Sequence, residues 1–307
     1  MIELLLAKII RKIDLQLKIH CFSDKAYLKA MYYYTFGKRL DLKDPKTFNE
    51  KLQWLKLNDR NPLYTTMVDK YAAKEYVKNI IGSEYIIETL GKWDSFDQIN
   101  FEQLPNQFVL KCTHDSGGLV ICRDKSRFDI QEARKKINDS LKRNFFYVGR
   151  EWPYKNVKPR IIAERYMEDQ NGDLKDYKFF CFDGKVKFFK IDFEREKSHQ
   201  ANYYDCEGHL LPFGEEICPP NPHKIIEIPS NLKRMIELAE ELSSGVDFLR
   251  VDFYSISDDD IKFGELTFYP ASGFGRFVPE EKDLEIGNML KLSQKIGGDC
   301  PKTRKLE

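Results

Sequence analysis

The chain has 307 residues, 42% of them hydrophobic and 13% aromatic, which excludes a disordered chain and allows a substantial core shared by two or three lobes. Its 50 basic and 49 acidic residues nearly cancel, so bulk electrostatic attraction to nucleic acid is not expected, and nucleic acid is set aside as a partner. Seven scattered cysteines, no two at CxxC spacing, argue against a zinc knuckle or redox pair and fit a reducing cytosol.

In chain order, residues 1–68 read as a helical N-terminal region. The opening "MIELLLAKIIRKIDLQLKIH" is apolar but broken by Glu3, Lys8, Arg11 and Lys12, so it is too short for a membrane span and unlike a signal peptide. It reads as an amphipathic helix with Leu6, Ile9, Ile13 and Leu17 on one face. The simpler expectation is a helix docked on its own domain; the alternative is a basic helix in peripheral contact with a membrane surface. Thr47 is the expected N-cap of "FNEKLQWLKL", with Glu50 completing the box. A second helix is expected over "VDKYAAKEYVKNII", ending near Gly82.

Short strands follow: "EYIIETLG", then "QFVLKCT" and "GLVICRD" as a hairpin with a Gly-rich tip. Residues 130–144 read as a helix. The remainder is strand-rich, with "RIIAERYME", "DYKFFCF" and "KVKFFKIDF", the last two joined by the hairpin signal Asp183-Gly184. "NLKRMIELAEELSSG" carries Leu232, Met235, Ile236, Ala239 and Leu242 on one helical face. The order implies an α+β fold with antiparallel sheets.

The sharpest local feature is a pair of acids in apolar strands. A turn at Ser257–Asp260 sets Ile256 opposite Ile261 and Asp252 opposite Glu265, with Cβ atoms roughly 5 Å apart. Like charges so placed repel, and a cation between them relieves this. Two hard carboxylate ligands on adjacent strands suit Mg2+. Alternation puts Arg250 and Thr267 on the same face. The acidic run Asp258-Asp259-Asp260 reads as turn formers in water.

A metal site implies an anion. In "LKCTHDSGGLVI", Ser116, Gly117 and Gly118 would bring backbone N–H groups close to phosphate, with Lys111 just before the loop. His114 reads as a loop or product contact rather than a base. In "AERYMEDQNGDLKDYKFF", Glu164 would accept from a purine amine, the backbone at Tyr166 and Met167 would pair with its edge, and Asp176 would receive ribose hydroxyls.

Together and in this order, the pieces resemble the ATP-grasp superfamily of carboxylate–amine ligases, and within it the TupA-like branch associated with bacterial surface polysaccharides. The correspondence runs from about Val68 to Pro279. It rests on "VDKYAAK", "FVLKCTHDSGG", "IIAERYME", "LRVDFY" and "GELTFYPASG". The resemblance implies ATP and Mg2+ as cofactors and an acylphosphate route to an amide. It implies Lys70 and Lys111 on the phosphates, Lys178 nearby, Glu164, Arg165, Tyr166 and Met167 at adenine, and Asp252, Glu265 and Thr267 as metal ligands. Arg250 would steady the carboxylate or acylphosphate, and Ser272 and Gly273 would present N–H groups to the acyl substrate. Thr267 stands where the family more often has Asn. The implied layout is a small subdomain over 69–163, a large one over 164–297, and a tail at 298–307. Substrates implied are a uronic-acid sugar or peptide acid and an amino acid or amino sugar, including a lipid-linked saccharide acceptor, at the cytoplasmic side of the membrane. A glycosyltransferase using a nucleotide sugar is the alternative.

Overall fold

The computed structural model describes residues 2–168, 174–194 and 198–293. The N-terminal region is helical: α1 (Ile2–Arg11) runs into a π-turn over Lys12–Gln16, followed by α2 (Asp24–Phe36), α3 (Phe48–Asn58) and α4 (Leu63–Val68). α3 starts with the expected box: Glu50 N donates to Thr47 Oγ1 at 3.2 Å and Thr47 N to Glu50 Oε2 at 3.1 Å. α5 (Ala72–Ile81) stops at Gly82, whose φ of 111° a side chain would strain.

A four-stranded antiparallel sheet follows, ordered β1-β4-β2-β3, from β1 (Thr89–Trp93), β2 (Phe108–Cys112), β3 (Leu119–Cys122) and β4 (Ile161–Arg165). The strand expected at "EYIIETLG" forms only from Thr89; Ser83–Tyr85 closes into a 3-10 turn behind Gly82. α6 (Ile130–Leu141) packs on this sheet through Ala133 and Ile137, and α7 (Phe146–Gly149) follows it.

The second sheet is five-stranded and antiparallel, ordered β10-β9-β5-β6-β7. Its strands are β5 (Asp176–Phe182), β6 (Lys185–Phe193), β7 (Gln200–Tyr204), β9 (Phe248–Ser257) and β10 (Asp260–Thr267). β8 (Gly214–Glu215) pairs with β11 (Phe277–Val278) apart from it. α8 (Leu232–Ser243) covers one face through Leu232, Met235, Leu238, Ala239 and Leu242, and α9 (Lys282–Met289) packs near α3. Asp183 and Gly184 both take positive φ, 50° and 71°, and close the β5–β6 hairpin as their identities require.

β5 is buried at all seven positions because both faces are covered. Tyr177, Phe179 and Cys181 face α8, where Cys181 Sγ approaches the Ala239 carbonyl at 3.8 Å. Asp176, Lys178, Phe180 and Phe182 face the other way. That second face divides in two. Its aromatic half, Phe180, Phe182, Phe188 and Phe248, packs under Phe48 of α3. Its other half is ionic.

Of the seven cysteines, the six in described residues are free thiols: Cys21, Cys112, Cys122, Cys181, Cys206 and Cys218. The tail at 298–307 and the end of the large subdomain lie outside the described residues.

Candidate active site on the ionic half of the large sheet

Four neighbouring strands set the ionic half by register. Lys178 of β5 lies opposite Asp252 of β9 and Lys190 of β6, and Asp176 opposite Asp192. Glu265 of β10 lies opposite Asp252, and Thr267 opposite Arg250, as the sequence predicted. The route to that register differs. Asp260 pairs with Ser257, but Ile256 bulges, so Ile261 faces Ser255 instead of Ile256. A second bulge at Gly264, on the opposite strand, restores the offset before Glu265. A Cβ at Gly264 would stand 3.1 Å from the Asp252 carbonyl oxygen.

Protein cations already bridge the two acids. Arg250 donates to both Asp252 oxygens, Nε to Oδ1 at 2.7 Å and Nη2 to Oδ2 at 2.6 Å, and Nη2 also reaches Glu265 Oε1 and Thr267 Oγ1 at 3.0 Å each. Lys178 Nζ bonds Asp252 Oδ2 at 2.9 Å and Asp176 Oδ2 more closely, with Asp192 Oδ2 at 3.7 Å. Lys190 Nζ holds Glu215 Oε2 at 2.9 Å. Repulsion between Asp252 and Glu265 therefore does not by itself demand a metal.

The charge count of the face gives a better argument. Lys178, Lys190 and Arg250 stand against Asp176, Asp192, Glu215, Asp252 and Glu265, three cations for five carboxylates. The excess is acidic, the donors are hard oxygens, and the Glu265 side chain is 42% exposed against 1% for Asp252. The donor set fits Mg2+, which would find Glu265 the reachable oxygen donor and Asp252 the deep one. Burial alone would raise Glu265, but Arg250 first, then Lys70, Lys178 and Lys111, draw it down to about 2. Burial pushes Asp252 up despite Arg250 and Lys178.

The small sheet supplies further basic groups. Glu164 of β4 is buried, with Lys74 Nζ on Oε1 and Lys111 Nζ on Oε2, both at 2.5 Å. Lys74 also donates to Ile87 O and Thr89 Oγ1 at 2.8 Å. Each Glu164 oxygen, expected to face an adenine amine, thus carries one lysine in this structure. Arg165 points away to a surface pair with Glu88 at 3.0 Å, and Arg123 Nε donates to the Tyr166 hydroxyl at 3.2 Å. Met167 is half-buried beyond the end of β4.

The Gly-rich loop joins β2 to β3. Lys70 Nζ donates to the Asp115 carbonyl at its root, and Lys70 N donates to Thr113 O at 3.0 Å. Gly117 takes φ of 105°, and a Cβ at Gly118 would strike Ser140 Oγ at 2.3 Å. Ser116 is exposed beside them. His114 is buried, its Nε2 lying 3.2 Å from Ser140 O and 3.1 Å from Arg143 O at the end of α6. It braces the loop root, in keeping with the expected loop contact.

Beyond β10, Ala271, Ser272 and Gly273 take φ of 46°, 53° and 61° in succession, a strained turn for two non-glycine residues. Buried groups hold it. Lys56 Nζ donates to Ser272 O at 2.7 Å and Gly149 O at 2.6 Å, and Gln53 Nε2 to Gly273 O at 2.6 Å. The Ser272 hydroxyl donates to Glu151 Oε1, and Ser272 N is spent on Tyr269 O at 2.8 Å. The Ser272 N–H, expected to face an acyl group, is bonded within the turn in this structure, and its hydroxyl serves Glu151. Burial draws the Lys56 ammonium down to about 7 and pushes Glu151 up, with Lys56 opposing the latter.

Sequence reasoning missed Lys56, Lys74, Glu151, Lys190, Asp192 and Glu215. Lys190 and Asp192 carried a usable signal, because they alternate with Phe189 and Ile191 as Asp176 and Lys178 do with Tyr177 and Phe179. Lys56 and Glu151 carried none, since only the tertiary fold brings them to Ser272.

No curated protein matches the sequence. Among solved structures, the chain is similar to an L-amino acid ligase from Bacillus licheniformis, at 13% identity and a TM-score of 0.47 over 90% of this chain. It is similar to an ADP complex of purK, a carboxyaminoimidazole ribonucleotide synthetase, at 17% and 0.43 over 80%. It is similar to a D-alanine–D-alanine ligase from Bacillus anthracis complexed with ATP, at 15% and 0.37 over 66%. The chain spans 65%, 57% and 55% of those proteins, less than two thirds of each. A model of the TupA-like ATP-grasp family matches residues 50–291, a stretch that takes in both sheets, the Gly-rich loop and the whole ionic face, and the chain belongs to that family.

Proposed function

We propose that the protein is an ATP- and Mg2+-dependent carboxylate–amine ligase. It would join an amino acid or amino sugar to a uronic-acid sugar or peptide acid, in capsule or cell-wall polysaccharide synthesis on the cytoplasmic side of the membrane. The observation that carries this reading is the ionic face: two carboxylates and a hydroxyl gathered on one arginine, beside a second group of lysines at the Gly-rich loop.

ATP with its metal would supply the phosphoryl group that turns a carboxylate into an acylphosphate, which an amine then attacks with loss of phosphate. The protein's own work is positioning and charge neutralisation. Lys70 and Lys111 neutralise phosphate oxygens, and Glu265, Asp252 and Thr267 hold the cation. Arg250 orients the carboxylate. Asp176 and Lys178 complete the ionic face, and Glu151 with Ser272 fixes the turn where the acyl group would lie.

The glycosyltransferase reading fits less well. It wants an Asp-x-Asp metal motif, and the acidic run here sits at the β9–β10 hairpin tip, where Asp260 Oδ1 pairs with Lys262 at 2.7 Å.

The deciding assay measures ADP release with Mg2+ against pooled amino acids and uronic acids, beside cleavage of a UDP-sugar. ADP release is expected, and Asp252→Asn with Glu265→Gln should abolish it. Retention in that double variant would overturn the site, and UDP-sugar cleavage without ATP binding would overturn the ligase reading.

A further inference from the structure

The N-terminal helix docks by a face other than the one its apolar spacing suggested. Ala7 and Ile10 meet α2, and Glu3 Oε1 accepts from Arg39 Nε and Nη2 at 2.9 and 2.5 Å. Leu6 and Ile9 of the predicted seam stand 53% and 44% exposed, with Leu5 at 59%. Leu17 and Ile19 just beyond the π-turn are exposed too. Together they leave uncovered an apolar strip that a small soluble surface rarely presents.

The strip is set in positive charge. Residues 1–29 hold Lys8, Arg11, Lys12, Lys18, Lys25 and Lys29 against Glu3, Asp14 and Asp24, a local net charge of +3 in a chain whose total is +1. All three acids are already paired: Glu3 with Arg39, Asp14 with Arg150, Asp24 with Arg60. Lys8, Lys12 and Lys18 are exposed, and no acid lies within ion-pair distance of them among the described residues. Behind the helix, a crevice of about 320 Å³ is walled by Leu6, Ala7, Ile10 and Leu40 together with Lys29 and Arg39.

We propose that this face is a docking surface for an anionic phospholipid bilayer. α1 lies in the interface plane with Leu5, Leu6 and Ile9 among the acyl chains, and Lys8, Lys12 and Lys18 at the headgroup phosphates. A second copy of the chain fits poorly, because a two-fold contact would set these lysines against their own counterparts. The proposal deepens the membrane-side placement given above, but it is tested without ATP turnover.

The test is co-sedimentation of the full chain with vesicles of phosphatidylcholine, with and without phosphatidylglycerol. The wild type is expected to sediment only with phosphatidylglycerol present, and to be released by salt. Leu5→Glu with Ile9→Glu should weaken binding tenfold or more while the melting temperature holds, since both side chains are exposed. Lys8→Ala with Lys12→Ala, which leaves the apolar strip intact, should weaken it by roughly thirtyfold. Failure of the wild type to bind phosphatidylglycerol vesicles would overturn the proposal. So would binding by both variants as tight as wild type, or a self-associated wild type that Leu5→Glu dissociates and that ignores lipid.

Discussion

At the scale of single residues, burial makes the small-sheet ion triad costly to disturb. Glu164 sits between Lys74 and Lys111 with little water to replace either partner. Replacing it with Gln leaves two buried ammonium groups facing each other, and should destabilise the fold by about 3–5 kcal/mol. The pH dependence follows from the same geometry. Burial alone would raise Glu164, but Lys111 and Lys74 hold it below its ordinary 4.5. The group therefore contributes stability that is complete above 4.5 and lost as pH falls through its folded value. Chemical denaturation from pH 7 down to pH 3 should show the wild type losing stability on this limb and Glu164→Gln losing less. Lys56 is a different case. It compensates three oxygens and lies near Glu151, so Lys56→Met should cost about 3 kcal/mol and release the 270–273 turn. Circular dichroism melts would read the first effect, and faster amide exchange at Phe274 the second.

At the scale of elements, the β9–β10 hairpin shows what patterning reveals and what it hides. The facing of Asp252 and Glu265 was legible because alternation and the turn at Ser257–Asp260 set the right sum. The path was not legible, because bulges at Ile256 and Gly264 cancel and leave no trace in the spacing. The Asp183-Gly184 hairpin was legible because its turn requires those residues. The docking face of α1 was misread because apolar periodicity marks an amphipathic helix without saying what covers it. Glu151 and Ser272 lie 121 positions apart, and no local rule joins them. The cancelling bulges yield a sharp prediction. Both bulges leave Glu265 on the Asp252 face, so Glu265→Ala takes a carboxylate off that face while the strand pairing stays in place. A chain so altered should keep its far-ultraviolet dichroism yet lose ADP release by at least about a hundredfold, as expected for lost transition-state electrostatics. Activity within a few fold of wild type would show that Glu265 does not act from this face.

At the scale of the whole molecule, the first two helices are tied to the site through a buried ion pair, beside the direct bonds that α3 makes to the turn. Asp14, fully buried in the π-turn after α1, accepts from Arg150 Nη2 at 2.5 Å and lies 3.1 Å from His20 Nδ1. The Arg150 guanidinium lies 4.1 Å from the centre of the Tyr27 ring, and His20 stacks on Tyr147 at 3.6 Å. Arg150 itself takes φ of 54°, and its chain neighbours Gly149 and Glu151 are the groups that meet Lys56 and Ser272. The first helices are therefore bolted to the segment that fixes the strained turn. Removing one partner strands a buried charge, so Asp14→Asn and Arg150→Met should each cost about 3–5 kcal/mol. The double variant leaves neither charge behind and should cost less than the sum of the two, by 1 kcal/mol or more, roughly the coupling of a contacting pair. Urea denaturation of the four proteins closes the cycle. ADP release at a temperature where all four are folded then separates stability from positioning. If the tie only supports the fold, the folded variants keep wild-type turnover. If it also holds Glu151 against Ser272, turnover falls in both single variants and stays low in the double, because restored stability does not restore the placement of the turn.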